Sequence, residues 1–198
     1  VALGIRHNVV AAPHVPYPIL NVDTHKQQTL QQKFKLSPEK PIICMMPGAE
    51  YGPAKQWPIG KYAELAAILS DRGMQVCVIG SAKETELGEQ ISKSGADRIK
   101  NLCGQTSLVE AIDLVAMSDW IVTNDSGLMH VACATGRKVI AIYGSSTPAY
   151  TPPLAKDAIV IYHDLECSPC FKRNCPLGHT QCLNDISVDE ILECITHK

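Results

Sequence analysis

Residues 41–162 alternate short apolar runs with longer amphipathic stretches, and this alternation constrains the fold more than any other feature of the sequence. The apolar runs are continuous rather than interrupted at every second position, which indicates strands buried on both faces. Strands that alternate with helices build a parallel sheet from βαβ units. We therefore predict an α/β fold, a Rossmann-like doubly wound parallel sheet of about six strands. The predicted strands are 42–46, 75–80, 99–103, 120–124, 139–143 and 158–162, and the predicted helices are 58–72, 84–94, 107–117, 126–135 and 187–196.

Composition narrows the classes of function. The 198 residues allow one domain with a real core, because 45% are apolar and only 19% are charged. A net charge of −2 provides no basic footprint for nucleic acid. No apolar run approaches the roughly 20 residues that span a bilayer, and no basic segment followed by an apolar one opens the chain. Neither a transmembrane segment nor a signal peptide is therefore expected.

The first 40 residues differ in character from the rest. Residues 1–21 are rich in proline and show little periodicity, so they are predicted to be extended. Residues 22–36 are predicted to form a helix that the Ser-Pro-Glu-Lys sequence at 37–40 ends. The chain is thus divided into an interdomain linker and helix at 1–40 and a Rossmann-like domain at 41–198.

Eight of the nine cysteines fall into two groups. Cys44, Cys77, Cys103 and Cys133 stand singly in apolar segments, where a small buried thiol is the expected role. Unpaired thiols in core segments fit a reducing cytosol better than a secreted protein.

The second group forms a cysteine-rich loop at 167–182 with the spacing C-x2-C-x4-C-x6-C. Four thiols this close together can surround one tetrahedral Zn²⁺, with His179 as a substitute ligand. Disulfide pairs, or reduced thiols that pack a loop, are equally open, because a zinc ribbon usually has two C-x2-C pairs and this loop has one. The predicted structural zinc ligands are Cys167, Cys170, Cys175 and Cys182.

Ligands of doubly wound sheets bind outside the carboxyl ends of the strands, so the chemistry is expected there. The loop after the first strand, 47–58, is rich in glycine and proline and has Lys55 as its one cation, just before a helix. A lysine beside helix-terminal amides suits a phosphate. A solvated surface lysine is the alternative.

The second strand end carries Gly80 and then Glu84. An acid at this position can accept hydrogen bonds from two ribose hydroxyls, as acids do in dinucleotide-binding folds. The alternative is an acid in the first helical turn, favoured there by the helix dipole.

The sequence Asp125-Ser126-Gly127-Leu128-Met129-His130 after the fourth strand is the most informative. Gly127 lets a ligand approach the backbone, and the free amides of a helix start favour an anion. His130 lies four residues after Ser126 and so shares its helix face. A plain helix cap at Asp125 and a satisfied core histidine at His130 are the alternatives. At the fifth strand end, the hydroxyl residues at 145–147 can line a phosphate site. A simple turn is the alternative.

Three strings at these strand ends, PGAEYGPAKQWP, VTNDSGLMHVA and YGSSTPAYTPP, together resemble the ADP-heptose:lipopolysaccharide heptosyltransferases of Gram-negative bacteria. The first string is similar to the branch called heptosyltransferase II, which adds the second heptose of the inner core. The resemblance covers residues 41–198 and implies the GT-B architecture, in which two Rossmann-like domains face a cleft. Residues 41–198 would be the C-terminal domain, which binds the nucleotide sugar.

The resemblance also implies a role for each matching residue. Lys55 matches the lysine that contacts the diphosphate and the sugar, and Asp125 matches the aspartate that contacts the heptose, so these two are the predicted catalytic residues. Glu84 matches the acid that holds the ribose, and the segment 126–130 matches the phosphate cradle with its histidine. The predicted donor-binding residues are Glu50, Tyr51, Lys55, Gly80, Glu84, Asp125, Ser126, Gly127 and His130.

The implied donor is ADP-L-glycero-D-manno-heptose, and the implied acceptor is the heptose of the lipopolysaccharide inner core. The family is metal-independent, so no cofactor is expected for catalysis. The N-terminal domain meets the acceptor and supplies the general base; this chain does not match that domain and is therefore expected to be inactive alone. The implied location is cytoplasmic, with peripheral contact at the inner face of the inner membrane left open.

Two other functions remain open. The chain could be an ADP-sugar or nucleotide-binding module without catalytic activity of its own, or a related glycosyltransferase with another acceptor. An unrelated Rossmann oxidoreductase is disfavoured because the G-x-G-x-x-G fingerprint of dinucleotide binding is missing.

Overall fold

The computed structural model describes residues 16–95 and 98–196, and it confirms the α/β architecture. Six strands form one sheet in which every neighbouring pair is parallel, in the spatial order β3-β2-β1-β4-β5-β6. This is the strand order of the Rossmann fold, and it reverses between β1 and β4. The strands are β1 Ile42–Met46, β2 Gln75–Val78, β3 Ile99–Asn101, β4 Trp120–Asn124, β5 Lys138–Tyr143 and β6 Ile159–Tyr162.

The helices follow the predicted alternation. They are α1 Thr24–Lys33, α2 Ile59–Asp71, α3 Thr85–Ser92, α4 Leu108–Met117, α5 Gly127–Ala134, α6 Gln181–Asn184 and α7 Val188–Thr196, with 3-10 turns at Pro53–Lys55 and Ala82–Glu84. The four-residue helix α6 was not predicted, because a single turn inside the cysteine-rich loop has no periodicity to detect.

Helices cover both faces of the sheet, which is the doubly wound arrangement. On one face, Leu65 of α2, Ile91 of α3 and Ile191 of α7 join one core cluster. On the other face, Leu114 of α4 and Met129 of α5 belong to a second cluster. The strand residues are buried from both sides, as their continuous apolar sequences predict.

Strands β2 and β3 are shorter than predicted. The apolar sequence continues past Val78 and Asn101, but Ile79 and Leu102 make one last bond each, to the carbonyls of Met45 and Val78, before the chain turns. Ile79 and Leu102 remain buried, so the buried segment extends beyond the end of the regular strand. The chain leaves the sheet at the edge where the ligand site is expected.

Helix α1 forms within the region predicted as 22–36, and residues 1–15 of the predicted linker lie outside the described residues. Asp23 caps the helix by accepting the His25 amide at 3.0 Å, and Leu30 and Phe34 pack into the core beside α4. The division into a linker at 1–40 and a domain at 41–198 stays a prediction.

None of the helices in the described part of the chain is long and apolar enough to cross a membrane.

Candidate functional site

A cleft of about 630 Å³ opens at the carboxyl ends of the strands, beside the point where the strand order reverses between β1 and β4. Doubly wound sheets bind their ligands at this position. All nine residues predicted to bind the donor border the cleft. Its lining comprises Gly48, Glu50, Tyr51, Lys55, Ile79, Gly80, Ser81, Glu84, Thr106, Ser107, Leu108, Ala111, Asp125, Ser126, Gly127, Leu128, His130 and Thr151.

A buried ion pair lies at the inner end of the cleft. The Lys55 ammonium donates to Asp125 Oδ2 at 2.5 Å, and the Ser146 hydroxyl donates to the same oxygen, also at 2.5 Å. The side chains of Lys55 and Asp125 are 16% and 4% exposed. With 16% of its side chain exposed, Lys55 does not fit the alternative of a solvated surface lysine.

Asp125 does not cap helix α5. The helix begins at Gly127, with Ser126 in the N-cap position, and the Asp125 side chain turns instead toward Lys55 and Ser146. The plain-cap alternative is therefore wrong. A carboxylate fixed by an ammonium and a hydroxyl holds both donors in place, which is the preorganisation that transition-state stabilisation requires.

The start of helix α5 has buried polar atoms that lack partners. Among the described residues, the Ser126 hydroxyl and His130 Nδ1 are buried and make no hydrogen bond. Leaving such groups unpaired costs free energy, so a ligand that bonds them gains affinity. Apart from the backbone of its own helix, no described part of the chain lies within 4 Å of where a Cβ of Gly127 would stand, so an anion can reach the helix amides there. A satisfied core histidine does not describe His130.

Glu84 lies in the loop after β2, where Ser81 bonds its carboxylate and two glycines leave room for it. Its Oε2 accepts hydrogen bonds from the Ser81 amide at 2.5 Å and the Ser81 hydroxyl at 2.9 Å. A Cβ at Gly48 would lie 1.3 Å from Glu84 Oε1, and a Cβ at Gly80 would lie 2.7 Å from Oε2. Glu84 therefore caps the helical turn, as the alternative predicted, and its carboxylate also borders the cleft.

Glu50 and Tyr51 occupy the outer rim of the cleft. Glu50 pairs with Lys83 at 3.2 Å, but both side chains are highly exposed. The Tyr51 ring lies against Lys55, whose Nζ is 5.2 Å from the ring centroid. Tyr51 therefore shields the buried cation from one side.

One wall of the cleft was not predicted. It is formed by the start of α4 and the residue before Met129, and its apolar members include Leu108, Ala111 and Leu128. Leu108 is 64% exposed, although it is a large apolar residue at the start of an amphipathic helix. A large apolar residue directly after the N-cap Ser107 is the sequence signal that could have indicated a wall for a flat apolar group.

The hydroxyl residues at 145–147 after β5 do not line the cleft, so the phosphate-lining alternative does not describe them. Ser145 and Ser146 are buried, and Ser146 acts from behind by donating to Asp125. Ser145 borders the cysteine-rich loop instead. The sequence identified the segment correctly but not the direction its side chains take.

The cysteine-rich loop supports the segment that carries Lys55. The Arg173 guanidinium donates to the Tyr51 carbonyl at 2.6 Å, and the Arg173 carbonyl accepts the Ala54 amide at 3.1 Å. Gly52 has φ +154°, and a Cβ there would lie 2.6 Å from the Arg173 carbonyl oxygen. These contacts link segments about 120 residues apart, so no local sequence pattern could have revealed them.

The four cysteines of this loop surround one small cavity together with His179. They are free thiols, and no three His, Cys, Asp or Glu side chains within residues 16–95 and 98–196 are arranged to hold a metal ion. Backbone amides, chiefly that of Thr180 at 3.4 Å, lower the pKa of the Cys175 thiol. Burial, with a contribution from the other three thiols, raises the pKa of Cys182 to about 11. The donor set suits zinc chemically, and the zinc site stays a prediction.

The single cysteines behave as buried thiols. Burial raises the pKa of Cys44 and Cys103 to about 12 and that of Cys133 to about 11. Thiols with such values are weak nucleophiles.

Known proteins resemble this chain in sequence and in fold. Glycosyltransferase family 9 (heptosyltransferase) matches residues 9–181. Lipopolysaccharide heptosyltransferase 2 of Salmonella typhimurium is 42% identical over 98% of this chain and 58% of its own length, and that of Escherichia coli is 43% identical over 89% and 52%. The solved structure of E. coli ADP-heptose LPS heptosyltransferase II superposes with a TM-score of 0.82 at 41% identity, covering 94% of this chain and 55% of that one.

This chain thus spans a little more than half the length of the curated relatives that it matches. The match runs through most of the chain, and the fold that it implies is the fold observed. The chain therefore belongs to glycosyltransferase family 9, the heptosyltransferase family.

Proposed function

We propose that the cleft binds ADP-heptose and that the chain provides the donor-binding half of an enzyme that transfers heptose to the lipopolysaccharide inner core. One observation carries the proposal: the buried Lys55–Asp125 pair lies in the same cleft as the partnerless Ser126 hydroxyl and His130 Nδ1. A diphosphate would supply the acceptors that these donors lack, and Lys55 would offset its charge.

The proposed donor extends across the cleft from the base to the sugar. The apolar wall of Leu108, Ala111 and Leu128 is suited to a flat adenine ring. Glu84 Oε1 would accept a ribose hydroxyl. The amides at the start of α5 would then face the diphosphate, and Asp125 would face the heptose.

Transfer breaks the bond between the anomeric carbon and the phosphate oxygen, so negative charge develops on the departing ADP. Lys55 and the α5 amides would stabilise this charge as it forms. These groups can supply the positive charge without a metal ion, and we propose that catalysis needs no cofactor. Asp125 would position Lys55 through their 2.5 Å contact.

The acceptor hydroxyl must lose its proton to a general base. We propose that this base lies outside residues 1–198 and that the chain alone binds the donor without transferring heptose. A cytoplasmic location follows from this proposal, because nucleotide sugars are cytosolic donors and the core cysteines are thiols.

Calorimetry with ADP and NAD tests the donor site. We expect ADP to bind and NAD to bind far more weakly, because the loops lack the dinucleotide fingerprint. Glu84→Gln should weaken ADP binding roughly tenfold, since hydrogen bonds to charged groups contribute about 1.5–3 kcal/mol. Glu86→Gln, an exposed acid two residues further along, is the matched control and should leave the affinity unchanged.

Equal affinities for ADP and NAD, or an unchanged affinity in Glu84→Gln, would contradict the proposed site. A separate assay with ADP-heptose and a heptose-bearing inner-core acceptor tests the catalytic part. Heptose transfer by the 198-residue chain alone would show that the general base lies within it.

A further inference from the structure

Three exposed aromatic side chains lie together beside the cleft. The Tyr150 and Phe171 rings meet edge to face with centroids 5.9 Å apart, and the Tyr51 hydroxyl donates to the Phe171 carbonyl at 2.7 Å. Tyr51, Tyr150 and Phe171 are 43%, 77% and 46% exposed, and this group is called the aromatic ledge. Grouped apolar exposure of this kind marks interaction sites, whereas scattered single residues do not.

The ledge is continuous with the inner end of the cleft. Tyr51 belongs to both, since it lines the cleft and lies 5.2 Å from Lys55 Nζ, which in turn contacts Asp125. Thr151, the neighbour of Tyr150 in sequence, also lines the cleft. A molecule on the ledge would therefore lie next to whatever occupies the Lys55–Asp125 end.

Two basic residues adjoin the ledge in sequence. Lys172 and Arg173 follow Phe171 directly, both are exposed, and the loop at 167–182 contains no acidic residue. The Arg173 guanidinium lies 5.5 Å from the Tyr51 ring centroid. Lys172 is an exposed cation next to Phe171 in sequence, whereas Arg173 is engaged with the backbone carbonyls of Tyr51 and Glu50.

The backbone beneath the ledge is fixed. The Phe171 amide donates to the Ser145 carbonyl at 2.7 Å, and the Arg173 guanidinium and carbonyl bond the segment that carries Tyr51. A rigid aromatic surface loses little conformational entropy when a ligand binds, so its contacts are converted efficiently into affinity.

We propose that the aromatic ledge is a binding surface for the acceptor, a saccharide that bears phosphate or carboxylate groups. The apolar faces of sugar rings stack on Tyr150 and Phe171, and the anionic groups are attracted by Lys172. This inference rests on the proposed function, since an acceptor hydroxyl must approach the heptose beside Asp125. It adds that this chain contributes to acceptor recognition as well as donor binding.

Titrations of the ¹⁵N-labelled chain followed by NMR test the proposal. The probes are deacylated inner-core oligosaccharide that ends in one heptose and retains its phosphates and carboxylates, and the same saccharide after dephosphorylation and carboxyl reduction. ADP is titrated in parallel. The variants are Tyr150→Ala, the double variant Tyr150→Ala/Phe171→Ala, and Lys172→Gln. Leu177→Ala is the matched control, because Leu177 is 62% exposed in the same loop but outside the ledge.

We expect the charged saccharide to bind the wild-type chain and shift ledge resonances. The double variant should bind it roughly tenfold more weakly, since an aromatic contact contributes up to about tenfold. Lys172→Gln should weaken it about two- to fivefold. ADP affinity should stay within about twofold in every variant, and Leu177→Ala should match the wild type.

Failure of the ledge and failure of the donor site give different results. A chain that binds ADP but not the charged saccharide overturns the ledge proposal, as does a double variant that binds the saccharide like the wild type, or equal binding of the neutral saccharide. A chain that does not bind ADP overturns the donor site, and the saccharide titration still decides the ledge. Tyr150→Ala alone, at a largely exposed position, gives a folded variant for the same comparison.

Discussion

Two lysine–carboxylate pairs border the same cleft and differ mainly in burial. Lys55 and Asp125 are 2.5 Å apart with side chains 16% and 4% exposed, whereas Lys83 and Glu50 are 3.2 Å apart with side chains 80% and 86% exposed. Coulomb attraction grows as water is excluded, while the cost of stranding one partner grows as well. The inner pair is therefore built for precise placement of charge, and the outer pair is a solvated contact.

A third pair lies between these limits. Lys33 and Glu110 are 2.6 Å apart with side chains 44% and 34% exposed, and they join α1 to the start of α4. The three pairs form a series in burial, so substitution of each should show how strongly burial determines the contribution of an ion pair in this fold.

The largest effect is expected from Lys55→Met. This change leaves the Asp125 carboxylate buried with the Ser146 hydroxyl as its remaining partner among the described residues, so the free energy of unfolding should fall by roughly 3 kcal/mol. ADP binding should be lost together with the cation. Urea unfolding and calorimetry measure the two effects.

Lys83→Met on the exposed pair is the matched control, and its free energy of unfolding should change by less than about 0.5 kcal/mol. Adding Asp125→Asn to Lys55→Met should recover part of the lost stability, because the stranded charge is then removed. Equal destabilisation by Lys55→Met and Lys83→Met would show that burial is not what separates the two pairs.

The next effect is expected from Gly48→Ala. The added Cβ would overlap Glu84 Oε1, so the carboxylate must leave its position and ADP affinity should fall roughly tenfold. Gly60→Ala is the control, since Gly60 has open space in the described structure where the added Cβ would stand, and it should not change the affinity. Calorimetry with ADP measures both variants, and an unchanged Gly48→Ala would exclude Glu84 from the binding site.

The contribution of the Lys33–Glu110 pair to stability should depend on pH. The hydrogen bonds from Lys33 and Ser107 lower the pKa of Glu110 to about 2. Because the folded-state pKa is depressed, the stabilisation is fully present above the unfolded pKa of roughly 4.3 and is lost as the pH falls toward 2. Wild type should therefore melt a few degrees above Glu110→Gln at pH 6, and the two melting temperatures should converge near pH 2. A difference that stays constant over this range would contradict the assignment.

The smallest effect on ADP affinity is expected from substitution of a cysteine in the cysteine-rich loop. The zinc prediction requires about one zinc per chain by elemental analysis of protein expressed with the metal. Cys175→Ser should abolish that binding and leave ADP affinity within about twofold, because Cys175 does not line the cleft. Metal content well below one per chain, with all four thiols reactive toward a thiol reagent, would contradict the zinc prediction.

The sequence predicted those parts of the fold that depend on local patterns. β1 and β4 have the predicted bounds because each is a continuous apolar run that a loop or a polar residue ends. The capping box at Ser107 and Glu110 was also predictable, since its spacing is fixed by the first helical turn. Strand ends at β2 were overestimated because buried residues continue beyond the last regular pairing.

The site was predictable where one segment carries several polar residues, as at Asp125–His130. It was not predictable where the geometry comes from contacts between distant segments. Ser146 reaches Asp125 from another strand end, and Arg173 bonds Tyr51 from the cysteine-rich loop. No periodicity or spacing records such contacts, because they depend on how the loops pack.

The reversal of strand order between β1 and β4 has a consequence for the stability of the whole domain. The walls of the cleft come from both halves of the sheet, Glu84 from the side of β2 and the α5 start from the side of β4. A nucleotide that contacts both walls would connect the two halves of the sheet non-covalently and oppose their separation. Ligand at about 100 times its dissociation constant adds roughly 2.7 kcal/mol to the free energy of unfolding. Saturating nucleotide should therefore stabilise both halves of the sheet and slow amide hydrogen exchange in the strands on both sides of the reversal.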